Sequence, residues 1–288
     1  PPPPIFQEED GNRDRVSCLV GSEMCIRDSV GAARNFNRTV EGARGRYFKW
    51  AAHDDLIHPD YLAECVDVLD DHPDVVWCQT RVGFIGPDGE ELASGMGDAG
   101  AGMSYVEDPS GGALRDRLVT RVSAWPHERL RAVLLETVGG GNWDVFGLSR
   151  TAVLKETGLQ RSFYGADKVV VAELALRGRF REVPAKLFSV RLHGSASAAL
   201  ESAQAQQQWI DPDHSARLAS ARFRLLAAYL EIVRRAPLTR GEKARCFGVL
   251  GSYVGQVQKW RRVLRSEVGR QGTGRGLHDY IARTSGEP

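Results

Sequence analysis

Apolar positions along this chain recur first at helical, then at extended spacing, and the alternation repeats. In "GAARNFNRTVEGARGRYFKWAAHDD", Phe36, Val40 and Ala43 fall on one helical face, and Gly45 is a plausible stop. Arg46 to Ala52 carries aromatic residues and predicts a buried strand, leaving His53, Asp54 and Asp55 at its C-terminal end. Pro59 then opens a helix with Asp60 in its first turn and Leu62, Cys65, Val66 and Leu69 as its apolar face. "DVVWCQTRVGFI" predicts a strand, "GPDGEEL" a turn, and the glycine-rich stretch 95–102 a mobile loop. "RDRLVTRV" and "HERLRAVLLETV" read as helices. "GGGNWDVFGLSRTAVLKETG" reads as a loop, a short strand and a helix.

"ADKVVVAELALRG" predicts a helix despite its valines, because Val169, Ala172, Glu173 and Leu176 follow the 3.6-residue period. "FREVPAKLFSVRLH" is extended, and beyond about residue 200 the pattern turns helical, with two or three helices expected between Ala216 and Arg270. Helical and extended segments in alternation imply an α/β fold with a mainly parallel sheet covered by helices. The division expected is a leader over 1–29, an α/β domain over 30–200 and a helical region over 201–288.

Composition narrows the class without naming a function. The 288 residues are 42% hydrophobic and 26% charged, with a net charge of +1, which gives no whole-molecule field for nucleic acid or membrane. Five cysteines lack CxxC spacing, which argues against a zinc site or a disulfide framework and suits a reducing cytoplasm. The N-terminus has no apolar h-region, so it is not a secretory signal. "VSCLVGSEMCIRDS" stands apart. Residues 19–28 are the one-frame translation of a transposase adapter used in sequencing libraries, and Ser29 fits the next codon. The native frame is therefore expected to begin near Val30.

From residue 30 to 195 the chain resembles the family 2 glycosyltransferases, which have the GT-A fold. "GAARNFNRTVEGARGRYFKW" is like the family's Gly-x-x-Ala-Arg-Asn segment and the strand entry after it. "AAHDDLIHPDYLAECVDVLDDHPDVV" is like the acidic metal-binding motif and its helix. "NWDVFGLSRTAVLKETG" is like the acceptor-side segment. "YGADKVVVAELALRGRFREVPAKLFSVRLHGSAS" is like the segment carrying the base and a late histidine. The family's first strands, which hold much of the nucleotide, have no counterpart here. The resemblance thus implies a partial GT-A domain, and little or no activity for this chain.

The chemistry explains the residue types. A divalent cation bridging a sugar nucleotide's diphosphate stabilises the charge that develops as the glycosidic bond breaks. Carboxylates at a strand end suit Mg²⁺ or Mn²⁺. The resemblance implies an inverting, metal-dependent transfer from a nucleotide-diphosphate sugar, a uridine diphosphate sugar by default, to a saccharide or lipid-linked hydroxyl.

Carried over by position, Asp54 becomes the principal metal ligand. Ala52 stands where the family commonly has an acid, and metal affinity is expected to be weaker for it. Asp55 becomes a sugar or outer contact, His193 a third metal ligand or diphosphate contact, and Arg191 a bidentate phosphate contact. Asp167 becomes the general base, and Arg34 and Asn35 face the nucleotide. Trp143 and Asp144 would shape an acceptor pocket.

Each also has a plainer reading: helix caps for Asp55 and Asp167, core packing for Trp143, a solvated helix start for Arg34 and Asn35. The basic stretch "KWRRVLRSEVGR" suits either a packed helix or contact with anionic lipid, hence a cytoplasmic, at most peripherally membrane-bound protein. Two other functions fit the residues. One is a metal-dependent phosphohydrolase built on His53 and Asp54, which requires two or more of His58, His72 and His193 to converge on Asp54. The other is a non-catalytic interaction module using the helical tail.

Overall fold

The computed structural model describes residues 30–92, 121–135, 143–193, 203–213, 221–257 and 260. Helix α1 (Ala32–Glu41) leads to the short strands β1 (Tyr47–Phe48) and β2 (Leu56–Ile57), then α2 (Tyr61–Asp71) and the long strand β3 (Val75–Ile85). Helix α3 (Pro126–Leu135), a 3₁₀ turn (Trp143–Phe146), β4 (Leu148–Arg150), α4 (Thr151–Lys155) and α5 (Asp167–Arg177) precede the second long strand, β5 (Arg179–Arg191). Helices α6 (Ala203–Ile210), α7 (Ala221–Arg235) and α8 (Arg240–Val254) follow. The leader, the 95–102 segment, most of "RDRLVTRV" and, Trp260 aside, the basic stretch after residue 258 lie outside the described residues.

The α/β alternation is as expected, but the sheet is mixed rather than mainly parallel. Its order is β1-β4-β3-β5-β2, and only the β3–β5 pair is parallel. The α5 crossover returns the chain in β3's direction, as a parallel pair requires. The short strands β1, β4 and β2 all pair antiparallel. β5 carries Pro184, which has no N–H to give a ladder. The β3–β5 register shifts beside it, from Thr80 opposite Val183 to Arg81 opposite Lys186.

The two sheet faces bury different sets. Tyr61, Cys65 and Leu69 of α2 pack with Cys78, Val82, Phe188 and Val190 on one face. Leu62 is 51% exposed, so the apolar stripe of α2 starts at Tyr61, with Cys65 and Leu69 at successive four-residue steps. On the other face Trp77 stacks on Phe180 at 4.7 Å, and α5 supplies Val169, Val170 and Leu174. Ile232, Val233, Cys246 and Leu250 of α7 and α8 are buried in that same core. Helices α7 and α8 therefore share one interior with the sheet. Capping-box residues Thr239 and Glu242 fix the start of α8.

Candidate active site

Asp54 and Asp55 sit in an irregular loop, because β1 ends at Phe48 and β2 starts only at Leu56. The strand expected over Arg46 to Ala52 is thus cut short. The reason lies at Lys49, a charged residue that breaks the apolar run. Its ammonium donates to the Trp50 carbonyl at 3.3 Å and to the Phe146 carbonyl. It lies over the rings of Phe188 at 4.3 Å, Tyr61 at 4.9 Å and Phe146 at 5.8 Å. That cage takes Lys49 out of the strand ladder and places it behind the acidic loop.

The loop is held from the end of β5. The Arg191 backbone N–H donates to Asp55 Oδ1 at 3.0 Å, and Arg191 Nε donates to the Asp54 carbonyl at 2.9 Å. His193 Nε2 lies 2.8 Å from Asp54 Oδ2 across 139 residues of sequence. Both side chains keep about a fifth of their surface in solvent, at 22% for Asp54 and 21% for His193. Asp55 is not a helix cap; its carboxylate is an acceptor for β5. Burial pushes the Asp55 carboxyl up to about 6, against the Arg191 N–H that favours its charged form and with the Asp54 charge adding to the rise. Burial also lowers Lys49 to about 8 although Asp55 opposes that shift, so loss of water outweighs the attraction between the two.

Asp54 and His193 supply one oxygen and one nitrogen at a partly open edge. Two protein donors fit a Mg²⁺ or Mn²⁺ that takes its remaining ligands from phosphate and water. Among the described residues no group of three or more His, Cys, Asp or Glu is arranged to hold a metal ion by itself. Of the other histidines, His53 Nδ1 stays 3.9 Å from Asp54 with its side chain 95% exposed, and His58 turns to Asp60 at 3.4 Å. The convergence of imidazoles that a phosphohydrolase needs does not occur at Asp54.

The remaining predicted residues lie elsewhere. Asp167 is the first residue of α5, after the cap position held by Ala166. Its charge helps to raise the hydroxyls of Tyr164 and Tyr229, in both cases behind burial. The 3₁₀ turn touches both neighbourhoods: Phe146 accepts from Lys49 and from Tyr61, while Val145 packs in the core with Val169 and Val170 of α5, the helix that Asp167 opens.

Arg34 pairs with Asp213 at 2.8 Å and Asp211 at 3.9 Å, tying α1 to the end of α6. Gly31 permits that approach, since a Cβ there would lie 2.6 Å from the Ile210 carbonyl. Asn35 is exposed on α1. Asp144 does not line an open pocket. It is 3% exposed and grips Arg121 at 2.9 and 3.0 Å. Trp143 packs edge-on against Phe84 at 6.1 Å.

Sequence reasoning passed over two features. Lys49 was visible as one cation inside "YFKWAA". Glu182 gave less signal, since an acid in an extended run usually points to solvent. Here its side chain is 8% exposed, 3.8 Å from Arg81, and burial pushes the carboxyl up to about 7.

Residues 24–154 match the model of glycosyl transferase family 2, a span that starts within the adapter-like stretch and runs through the acidic loop and β4. Over that span the chain is similar to glycosyl transferase family 2. An uncharacterized glycosyltransferase of Rickettsia typhi is 27% identical over 79 residues, 25% of each chain. The chain therefore spans about a quarter of the curated relative it matches. The crystal structure of S. aureus TarS 1–349 aligns with 83% of this chain and 55% of its own at 12% identity, with a TM-score of 0.41. No described helix is long and apolar enough to cross a membrane.

Proposed function

We propose that the chain derives from an inverting, metal-dependent glycosyltransferase. It would move a sugar from a nucleotide-diphosphate donor, with uridine diphosphate the default carrier, to a hydroxyl of a saccharide or lipid-linked acceptor. The observation that supports this best is the 2.8 Å approach of His193 to Asp54, two residues 139 apart that the family resemblance selects independently. In this reading Asp54 and His193 hold Mg²⁺ or Mn²⁺, which when bound would neutralise the leaving diphosphate. Asp55, anchored on β5, fixes the loop and faces the donor. Asp167 takes the proton of the acceptor hydroxyl as its oxygen bonds to the anomeric carbon and the carbon–oxygen bond to phosphate breaks. The protein acts in the cytoplasm, with the basic C-terminal stretch available to an anionic lipid surface.

The test is direct. Wild-type protein is expected to bind Mn²⁺, and Asp54→Ala and His193→Ala to weaken that binding about tenfold or more. In a chain restored to full family length, Asp167→Asn is expected to keep metal binding and lower kcat by about 10²–10⁴-fold. Mn²⁺ affinity indifferent to both Asp54 and His193 would overturn the metal assignment. Transfer that survives Asp167→Asn would overturn the base.

A further inference from the structure

We infer that Arg191 is a positioning residue: it clamps the loop that presents Asp54 to the metal, and is not a ligand of the diphosphate. The inference rests on the metal reading above. Arg191 joins three segments. Its backbone N–H and Nε hold Asp55 and the Asp54 carbonyl at 3.0 and 2.9 Å. Its Nη1 donates to the carbonyls of Gly86 and Pro87, at 3.1 and 2.8 Å, in the turn after β3. Residues 53–55 lie between two-residue strands and make no ladder of their own, so these bonds set where Asp54 stands. Two residues further on, His193 meets Asp54.

A guanidinium grips a phosphate with two parallel N–H groups along one edge of its fork. In Arg191 one donor on each such edge already serves a carbonyl: Nε on one, Nη1 on the other. Neither edge retains the pair that a bidentate grip needs. Lysine could supply the charge at this position but could not hold three carbonyls in one plane.

The experiment measures Mn²⁺ alone, by the electron paramagnetic resonance of the free ion, on wild type, Arg191→Lys and Arg191→Met, with circular dichroism melts to establish that each is folded. Binding of inorganic pyrophosphate with Mg²⁺ is measured in parallel. The clamp predicts that both variants lose Mn²⁺ affinity by a similar factor, about tenfold, with no nucleotide or phosphate present. A phosphate ligand predicts unchanged Mn²⁺ affinity in both, with pyrophosphate binding lost in Arg191→Met and largely kept in Arg191→Lys; that result overturns the inference. Wild type that binds no Mn²⁺ overturns the metal reading itself, whereas binding that neither substitution weakens removes only the clamp. Should the variants not fold, the ¹⁵Nε resonance of Arg191 in wild type decides. Unmoved on adding pyrophosphate and Mg²⁺, it supports the clamp; a shift assigns Arg191 to the phosphate.

Discussion

Glu182 is a buried carboxyl 3.8 Å from Arg81, and burial holds its pKa near 7 although Arg121 and Arg81 both favour its charged form. A carboxyl raised above its unfolded value contributes stability that is full below about pH 4.5 and lost as pH rises through about 7. Glu182→Gln is expected to match wild type at pH 4 and to exceed it by about 3 kcal/mol at pH 8, read from denaturant melts. Lys49 has the opposite sign. Its pKa is lowered to about 8, so between pH 8 and 10.5 the unfolded chain binds more protons and stability rises with pH. Lys49→Met, a thioether in an aromatic cage, is expected to be at least as stable as wild type at pH 7 and to lose that alkaline rise. A melt that falls sharply in Lys49→Met would mean that the ammonium's two carbonyl bonds outweigh its desolvation.

At the scale of elements, the long patterned segments were legible and the short ones were not. α5 and β3 follow from periodicity because each buries a face along its whole length. β1 and β2 are two residues each, set by pairing to β4 and β5 rather than by any local pattern. The same limit applied to the site. Asp54, Asp55 and His193 were readable from motif order, but the roles of Arg191 and Lys49 depend on partners about a hundred residues away. The pairing of Arg34 was hidden for a related reason, since its partners Asp211 and Asp213 lie far along the sequence. The turn before β4 shows how tightly elements meet. A Cβ on Gly147 would lie 2.2 Å from the Trp77 ring, whose Nε1 donates to the Asp144 carbonyl at 2.9 Å. Gly147→Ala is expected to destabilise by about 1–3 kcal/mol, visible as a lowered melting temperature.

At the scale of the molecule, the helical region is a structural partner of the sheet and α5. Ile232, Val233 and Leu250 share one core with Leu130, Val170 and Leu174. Removing residues 214–288 would uncover that apolar surface. The shortened chain is expected to precipitate or to melt without cooperativity, measured by light scattering and calorimetry. A soluble chain with an unchanged melt would mean that α7 and α8 are dispensable cover. The family match itself stops at residue 154, so this support comes from chain beyond the matched span.

The irregular pairing of the two long strands governs what the far end of β5 displays. Thr80 lies opposite Val183, yet Val82 lies opposite Phe188, so β5 uses five residues where β3 uses two. Side chains on a strand alternate between faces, and an odd excess inverts which set points where. Losing Ala185 alone would bring Leu192 into the place of Arg191 and Gly194 into that of His193. The acidic loop would then meet a leucine and a glycine instead of a guanidinium and an imidazole, although no residue of the cation pair had been altered.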